Sequence, residues 1–381
     1  MRTLDDLPKP DRNWLWKRRN WLSVPPLPAD VLQAASAIEQ TEKRLEALAG
    51  GRIVALEAEA LASSVRDSWA VEGVELDPVA IRSSILKRLG LDVPEWKAYA
   101  ARRSAGEDIA VRATLDMLNG KTEVTLESIL AVHGKLAPPA SEAAWGRFRT
   151  SEEYVVKGFG DRREIVYVAP PPEDVPGLMR KYVRFWHESL PGIPRAAGAA
   201  LAHLFLAVIH PFEDGNGRMG RLLADKCMAR GQAGTFRPYS VSSVFRAHGQ
   251  AYAARLDGLD RRDGVERFLR FALARHEEAA RAAEARAEAL AGLEGFFAAA
   301  PFLTDEQRHI VRVMAMDPGR KWICDDVVFD MEDDEAACAA WDDLVGRGYI
   351  RQGRLHLEAV PAPDRKPHGC IISIGSRAVQ P

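Results

Sequence analysis

Apolar residues over much of this chain recur at intervals of three and four positions, the spacing that places them on one face of an α-helix. Between residues 30 and 70 the pattern runs from Leu32 through Leu45 to Leu61, with an interruption at Gly50. Pro78 then marks the expected start of a shorter helix, since proline is favoured in the first turn. The N-terminal part of the chain is therefore predicted to be helical.

The helical period continues through most of the remaining sequence. It predicts two helices within residues 96–137, one ending at Trp186, and others over residues 196–209, 218–230, 243–257 and 263–300. One region differs, because residues 153–157 and 164–168 are rich in Tyr and Val and flank a Gly/Asp turn at 158–161. These two segments are predicted to form a small β-hairpin.

The two ends of the chain differ from its middle. Residues 1–30 are rich in tryptophan and proline, which predicts an extended arm whose aromatic rings dock on the body in preference to a disordered segment. Near the other end, Thr304 and Gln307 have the spacing of a helix capping box. Two further helical segments and a short strand at 354–357 follow, an order that favours a winged-helix-like domain.

These elements predict a mainly α protein in three parts. Residues 1–95 hold the N-terminal arm and helices, residues 96–300 a helical core with a β-hairpin, and residues 301–381 the winged-helix-like domain. A chain of 381 residues is long enough for two or three domains with a large buried core.

Charge and composition exclude some classes of function. A formal net charge of −2 provides no general attraction to nucleic acid or to an anionic membrane. The longest apolar run, residues 196–209, is shorter than the roughly 20 residues that span a bilayer, and no apolar leader is visible at the N-terminus. Four cysteines without metal-binding spacing fit a reducing compartment, so we expect a cytoplasmic protein without a membrane partner.

The segment from His210 to Arg221 carries the candidate chemistry. Its Gly-Asn-Gly turn at 215–217 lies between two predicted helices, where glycines let a ligand approach the backbone and free N–H groups converge on an anion. Arg218 and Arg221 are three residues apart, so both guanidinium groups project from one face of the second helix and can clamp phosphate oxygens. The loop is therefore predicted to bind phosphate.

Two further side chains of this loop suit a transfer reaction. Asp214 places a carboxylate beside the anion site, where Mg²⁺ would bridge it to the phosphates. His210 has an ordinary pKa of about 6.5, which suits removal of a proton from a hydroxyl at neutral pH. The predicted reaction is attack of a hydroxyl on a metal-bound nucleotide phosphate.

Residues 210–221 match the signature HPFx[D/E]GNGRxxR at every defined position, and in this the chain resembles the Fic family. Residues 202–209 and 166–179 are also similar to the segments that precede the signature and follow the flap in that family. The resemblance implies a Fic-type helical core with a hairpin flap. It also implies an adenylyltransferase, which moves AMP from ATP to a Ser, Thr or Tyr hydroxyl of a target protein.

The resemblance further implies a role for each residue of the loop. His210 would be the general base, and Asp214 would hold Mg²⁺. The remaining residues would bind the ATP phosphates, with Gly215, Asn216 and Gly217 lining the anion hole and Arg218 and Arg221 on the phosphates. The hairpin at about 153–168 would be the flap that aligns a target segment by strand-like pairing.

A second motif lies upstream, between Ser68 and Gly73. By itself it is a helix end with a C-terminal glycine. Beside a Fic loop, Ser68, Glu72 and Gly73 resemble the inhibitory pattern [S/T]xxxE[G/N] of that family. The resemblance implies that Glu72 pairs with Arg221 and occupies the guanidinium meant for the γ-phosphate. In some relatives the same glutamate helps to remove AMP, so de-AMPylation is an alternative activity.

Two residues near the loop have competing interpretations. His203 lies seven residues before His210 on roughly the same helical face, and it is expected to be a core histidine rather than a catalyst. Tyr252 lies where relatives tend to carry a Tyr-Tyr pair, but Ala253 replaces the second tyrosine. Flanking the adenine and packing in the core are both open roles for Tyr252.

Several alternatives concern the ligand and the partners. The loop recognises phosphates and not a base, so transfer of UMP, GMP or phosphocholine is a rival with the same chemistry. A nucleotide-sensing DNA-binding regulator that uses residues 303–357 is a rival of another class, disfavoured because acidic residues at 325–326 and 332–335 would repel DNA phosphates. A protein–protein role is favoured for that tail. Relatives with an internal inhibitory helix are often dimers, which leaves a homodimer open.

Overall fold

The computed structural model describes residues 8–10, 12–50, 53–90, 104–138, 143–158, 163–229, 237–316, 321–324, 331 and 334–356. Two compact units, Met1–Glu284 and Ala285–Pro381, divide the chain. Some predicted features lie outside the described residues, namely residues 159–161 of the hairpin turn, the acidic residues at 325–326 and 332–333, Leu357 and Cys370. The division at residues 95 and 300 stays a prediction.

The first unit consists almost entirely of helices, as the apolar spacing predicts. In chain order they are α1 (Ala29–Ala49), α2 (Ile53–Ala70), α3 (Pro78–Leu89), α4 (Ala105–Leu118), α5 (Leu126–Lys135), α6 (Val175–Glu188), α7 (Arg195–Ile209), α8 (Asn216–Ala229), α9 (Val241–Ala247) and α10 (Gly249–Asp257). A longer helix, α11 (Gly264–Ala299), begins in this unit. Residues 243–257 are helical as predicted, except that His248, with φ −108° and ψ 31°, leaves helical geometry and separates α9 from α10.

Helix α7 lies at the centre of the first unit and is buried along nearly its whole length. Its sequence is apolar on every face, so α1, α6 and α8 can pack around it. A Cβ at Gly198 would lie 3.2 Å from Leu190 Cδ2 and 3.4 Å from Cys227 Sγ of α8, so the glycine leaves room for these two side chains against α7. The helix ends at Ile209, and His210 follows in the left-handed conformation with φ 49° and ψ 58°.

The predicted β-hairpin is present. Strands β1 (Tyr154–Lys157) and β2 (Glu164–Val168) are antiparallel, with an irregularity in register between Val155 and Val156. A sheet of two such short strands is marginally stable by itself in water. The hairpin therefore depends on contacts with the helical body and with the N-terminal arm.

The N-terminal arm packs against this hairpin, which confirms the predicted docking of its tryptophans. Trp16 Nε1 donates a hydrogen bond to the carbonyl oxygen of Val168 at 2.8 Å. The ring of Trp14 meets the ring of Tyr167 edge to face, with 5.2 Å between centroids, and Trp14 is buried. Aromatic packing thus orders a segment that has little regular structure of its own.

The second unit contains α12 (Asp305–Ala315), α13 (Asp334–Gly346) and a short ribbon of β3 (Ile350–Arg351) and β4 (Arg354–Leu355). The predicted capping box is present, because Thr304 Oγ1 accepts from Gln307 N while Gln307 Oε1 accepts from Thr304 N. The winged-helix assignment stays a prediction.

None of the helices in the described ranges combines the length and the apolar character needed to cross a bilayer.

Candidate active site

His210 lies directly after α7, and its backbone is held in place from two sides. Its N–H donates to the carbonyl oxygen of Leu206 at 2.9 Å, and its own carbonyl accepts from Arg149 Nε at 2.7 Å. In the side chain, Nδ1 lies 3.2 Å from the carbonyl oxygen of Ala207, so Nδ1 carries the hydrogen in that contact. Nε2 therefore keeps the lone pair that a general base needs.

The surroundings of His210 keep its imidazole neutral. Burial lowers the pKa of His210 to about 4, and the positive charge of Arg149 acts in the same direction. Glu72 and Asp214 oppose this shift through their negative charges. A bound nucleotide would add further negative charge and raise the pKa towards neutrality, which would strengthen the base when substrate is present.

The loop after His210 is closed by Asn216. Its Oδ1 accepts from the backbone N–H of Phe212 at 3.0 Å, and its Nδ2 donates to the carbonyl of Phe212 at 2.8 Å. Because of this closure, α8 begins at Asn216, two residues earlier than predicted. Gly215, with φ 79°, makes the reversal that precedes the helix. The Asn216 side chain thus holds the backbone of the loop in its conformation. Its contact with a phosphate stays a prediction.

His133, a residue that the sequence analysis did not select, supports the loop from below. Its ring lies between those of Phe212 and Trp145, with centroid distances of 3.6 Å and 4.6 Å. Its Nδ1 accepts from Gly146 N at 3.0 Å, so its Nε2 carries the hydrogen and donates to the carbonyl of Asp214 at 2.9 Å. Burial lowers the pKa of His133 to about 4, which keeps this donor and this acceptor in place at neutral pH.

Replacing His133 with Phe is expected to lower the free energy of unfolding by about 1–3 kcal/mol, because the ring stack remains while two half-buried backbone groups lose their partner. Urea denaturation of the full chain measures this change. His187→Phe is a suitable control, since His187 makes a hydrogen bond to the carbonyl of Val124, away from the loop, and we expect about 1 kcal/mol there. Equal losses for the two variants would contradict a special role of His133.

Arg218 lies in a buried aromatic slot. Its guanidinium is sandwiched between the rings of Trp69 and Trp145, 4.8 Å and 5.0 Å from their centroids. Nη2 donates to Asp214 Oδ1 at 3.0 Å, and Nη1 donates to the carbonyl of Leu136 at 3.2 Å. In the structure Arg218 therefore orients the Asp214 carboxylate, and its predicted contact with a phosphate stays a prediction.

Arg221 extends towards the end of α2, where the second sequence motif lies. Its Nη2 donates to Glu72 Oε1 at 2.7 Å and to the carbonyl of Ser68 at 2.6 Å, and its Nε donates to Ser68 Oγ at 3.0 Å. Gly73, with φ 78°, follows in the turn that ends this segment. The two motifs, which are 149 residues apart in the chain, thus meet at one guanidinium.

The Glu72 carboxylate also covers the first turn of α8. A Cβ added at Gly217 would overlap Glu72 Oε1, so the glycine lets the carboxylate lie directly against this turn. The N-terminus of a helix carries partial positive charge and free N–H groups. Glu72 therefore lies against both parts of the predicted anion site, namely the turn at 215–217 and the Arg221 guanidinium.

Asp214, the predicted Mg²⁺ ligand, has a carboxylate that is partly open to solvent. Its Oδ1 accepts from Gly215 N and from Arg218 Nη2, and 43% of the side chain is exposed. Within the described ranges, no cluster of three or more His, Cys, Asp or Glu side chains could hold a metal by itself. A single carboxylate nevertheless fits Mg²⁺, which usually keeps several waters and takes its other ligands from substrate phosphates.

His203 and Tyr252 form a buried pair behind the loop. His203 Nε2 and the Tyr252 hydroxyl are 2.6 Å apart, and the Tyr252 ring stacks on Phe245 with 4.8 Å between centroids. His203 lies in the core, as predicted. Packing in the core describes Tyr252 in this structure, and contact with an adenine stays a prediction.

Comparison with known proteins shows which family this chain resembles. Residues 123–228, which include α5, the hairpin and the loop, match the sequence model of the Fic/DOC family. The protein adenylyltransferase Fic of Drosophila sechellia is 27% identical over 210 residues, which cover 53% of this chain and 40% of that protein. The corresponding protein of Drosophila virilis is 30% identical over 173 residues, 45% of this chain and 33% of that protein. This chain thus spans about two fifths or less of the length of these relatives.

A solved structure shares the fold. The crystal structure of a Fic family protein from Desulfovibrio desulfuricans G20 matches with a TM-score of 0.54 at 20% identity, over 86% of this chain and 93% of that one. This chain is therefore a mainly helical protein with the Fic fold, in agreement with the predicted fold class. Its similarity to the Fic/DOC family lies in residues 123–228.

Proposed function

We propose that this protein is a protein adenylyltransferase that moves AMP from ATP to a Ser, Thr or Tyr hydroxyl of a target protein, and that Glu72 inhibits it. The observation that carries the proposal is the position of the Glu72 carboxylate. It lies 2.7 Å from Arg221 Nη2 and over Gly217 in the first turn of α8. A site that accommodates an internal carboxylate in this way has the charge and the donors to accept a phosphate.

The chemistry follows from the groups around His210. Nε2 of His210 takes the proton of the target hydroxyl, and the hydroxyl oxygen forms a bond to the α-phosphorus of ATP. The bond from that phosphorus to the β-phosphate oxygen breaks, and pyrophosphate leaves. AMP is then esterified to the target side chain. The neutral state of His210 supports its role as base, since a protonated imidazole could not accept the proton.

Mg²⁺ and the phosphates would be held by the remaining loop residues. Asp214, oriented by Arg218, would bind Mg²⁺, which would neutralise charge on the phosphates when ATP is bound. Arg221 and the amides at the start of α8 would hold phosphate oxygens once Glu72 has moved away. The names of the relatives, protein adenylyltransferases, support AMP as the transferred group.

The hairpin supports a protein as the acceptor. Its first strand carries Val155, a large apolar side chain that is exposed, and a two-stranded sheet has edges that can pair with an extended segment. A target segment paired with the hairpin would approach the loop after α7, because the hairpin is tied to His210 through Arg149.

Glu72→Gly is expected to raise incorporation of AMP by at least about tenfold, because it removes a charge-assisted contact worth roughly 1.5–3 kcal/mol from the phosphate site. The full chain is incubated with Mg²⁺ and ATP labelled at the α-phosphate, alone and with a cell lysate, and label on protein is measured. Glu75→Gly is the matched control, since Glu75 is exposed, pairs with Arg246 and lies three residues further on.

The outcomes separate the parts of the proposal. Absence of label on any protein with Glu72→Gly would contradict the transferase. An equal gain with Glu75→Gly would contradict inhibition by Glu72. UTP, GTP and CDP-choline, each labelled in the transferred phosphate, are tested beside ATP, and label from one of them in place of ATP would contradict AMP as the transferred group.

A further inference from the structure

Arg149 lies outside both sequence motifs and is almost completely buried, with 2% of its surface exposed. Each of its three guanidinium nitrogens donates to a different backbone carbonyl. Nε reaches His210 at 2.7 Å, Nη1 reaches Ser151 at 2.8 Å and Nη2 reaches Pro170 at 2.6 Å. Burial lowers the pKa of Arg149 from its usual value, which indicates that the buried charge is costly and that the three hydrogen bonds must offset this cost.

The three carbonyls belong to three separate segments. Ser151 precedes β1, Pro170 follows β2, and His210 follows α7. Arg149 therefore connects both ends of the hairpin to the peptide that carries the candidate base. Its own N–H donates to the carbonyl of Pro211 at 2.9 Å, which adds a fourth link between the hairpin side and the loop.

We propose that Arg149 is a positioning residue that fixes the β1–β2 hairpin and His210 to each other, so that a segment paired with the hairpin presents its hydroxyl at a set distance from His210 Nε2. The proposal rests on the proposed function. Small errors in the position of reacting groups cost large factors in rate, and a two-stranded hairpin cannot maintain its position alone. Arg149 supplies the missing rigidity at the point where the hairpin meets the loop.

Other contacts keep the hairpin attached when Arg149 is changed. The hydroxyl of Tyr167 donates to the carbonyl of Val208, and Trp16 donates to the carbonyl of Val168. A variant of Arg149 is therefore expected to fold with the hairpin in place. The two ends of the hairpin, at Ser151 and Pro170, should however be held less firmly. If the variant folds in this way, Arg149 is needed to position the hairpin and His210 and is not needed for folding of the chain.

The first test uses the full chain with Glu72→Gly and adds Arg149→Lys or Arg149→Ala. Lys keeps the charge but has a single nitrogen, which cannot reach three carbonyls. We expect kcat for transfer to a protein acceptor to fall by about 10- to 100-fold in both variants, the range for losing charge-assisted hydrogen bonds. The KM for ATP should change less than about twofold, because Arg149 is not among the residues proposed to bind the ATP phosphates. Millimolar guanidinium ion should restore part of the rate with Arg149→Ala and not with Arg149→Lys.

An unchanged kcat, or a parallel change in kcat and KM for ATP without rescue by guanidinium, would overturn the proposal. Arg180→Ala, which removes an exposed arginine of α6, is the control and should leave both constants unchanged.

A second test does not depend on activity. Hydrogen exchange is measured in the full chain with the natural residue at 72, comparing Arg149→Lys with the unchanged protein. The amides of Ala169 and His210, which bond to the carbonyls of Glu153 and Leu206, should both exchange at least about tenfold faster. The amide of Gly198 in α7 should not change.

If neither amide responds, or only one does, Arg149 does not couple the two segments and the proposal fails. If both respond while Glu72→Gly transfers no AMP, the coupling stands and the adenylyltransferase proposal alone fails.

Discussion

His210→Ala, introduced together with Glu72→Gly, is expected to lower the rate of AMP transfer by about 10²–10⁴-fold, the range for losing a general base. Nε2 of His210 is available because Nδ1 is engaged with the carbonyl of Ala207, and alanine leaves no group there to take the proton. Binding of ATP should be almost unchanged, because the residues proposed to bind its phosphates lie on α8 and the imidazole is not one of them. Initial rates with labelled ATP and calorimetric titration with Mg²⁺ and ATP measure the two quantities.

A matched histidine variant makes this result specific. His187→Ala removes an exposed histidine that bonds to the carbonyl of Val124, and we expect its rate to stay within about threefold of the Glu72→Gly protein. A residual rate within about tenfold for His210→Ala would show that another group takes the proton. Loss of ATP binding together with loss of rate would show instead that His210 shapes the phosphate site.

Lowering the pH from 7 to 5 is expected to destabilise the folded protein severely. Burial lowers the pKa values of four histidines to between about 3 and about 4, namely His133, His203, His210 and His276. In the unfolded chain their pKa values are about 6.5, so below that pH the unfolded chain binds more protons than the folded one. Stability therefore rises with pH through this window and is lost as the pH falls.

The size of the effect can be bounded. Each such histidine contributes up to about 1.4 kcal/mol per pH unit, against a total stability of roughly 5–15 kcal/mol for a typical domain. Glu57 opposes the trend in the same window, because burial raises its pKa to about 7 and the folded state then binds the extra proton. These five groups together therefore give a slope of at most about three protons, and the raised pKa of Glu153, which burial causes, reduces it further.

Urea unfolding at pH 7.5, 6.5, 5.5 and 5.0 measures this slope. His133→Phe should reduce it by about one proton, because the variant removes one of the four titrating groups. His248→Phe is the control, since His248 is exposed and partly paired with Glu278 on the surface. A free energy of unfolding that stays constant between pH 6.5 and 5 would contradict neutral buried histidines.

Local patterns accounted for the elements that could be predicted. The apolar periodicity that identified α7 needs only neighbours along the chain, and so do the capping box at Thr304 and the strands on either side of the hairpin turn. The residues at which α8 and α10 begin were harder to predict from the sequence. Asn216 begins α8 early because its side chain binds back to Phe212, and no periodicity encodes that bond.

Local sequence patterns could not predict the contacts that organise the site. His133 meets the loop across 81 residues and Arg149 across 61. A lone histidine on an apolar helix face and an arginine before a strand are common in any helical protein, so neither residue type nor spacing marks them. Both became recognisable only when their hydrogen bonds to the carbonyls of Asp214 and His210 were known.

The sequence by itself determined the helical character of this protein and the contiguous loop from His210 to Arg221, because both depend on residues close together in the chain. It also identified Glu72, because the motif around this residue resembles the inhibitory pattern of the Fic family. That resemblance implied contact between Glu72 and Arg221. The tertiary structure contains that contact, and it alone decided that Arg218 faces Asp214 between two tryptophans. The physical reason is that the packing of α2, α5 and α8 sets which side chains share a low-dielectric space, and such packing joins residues that no local spacing connects.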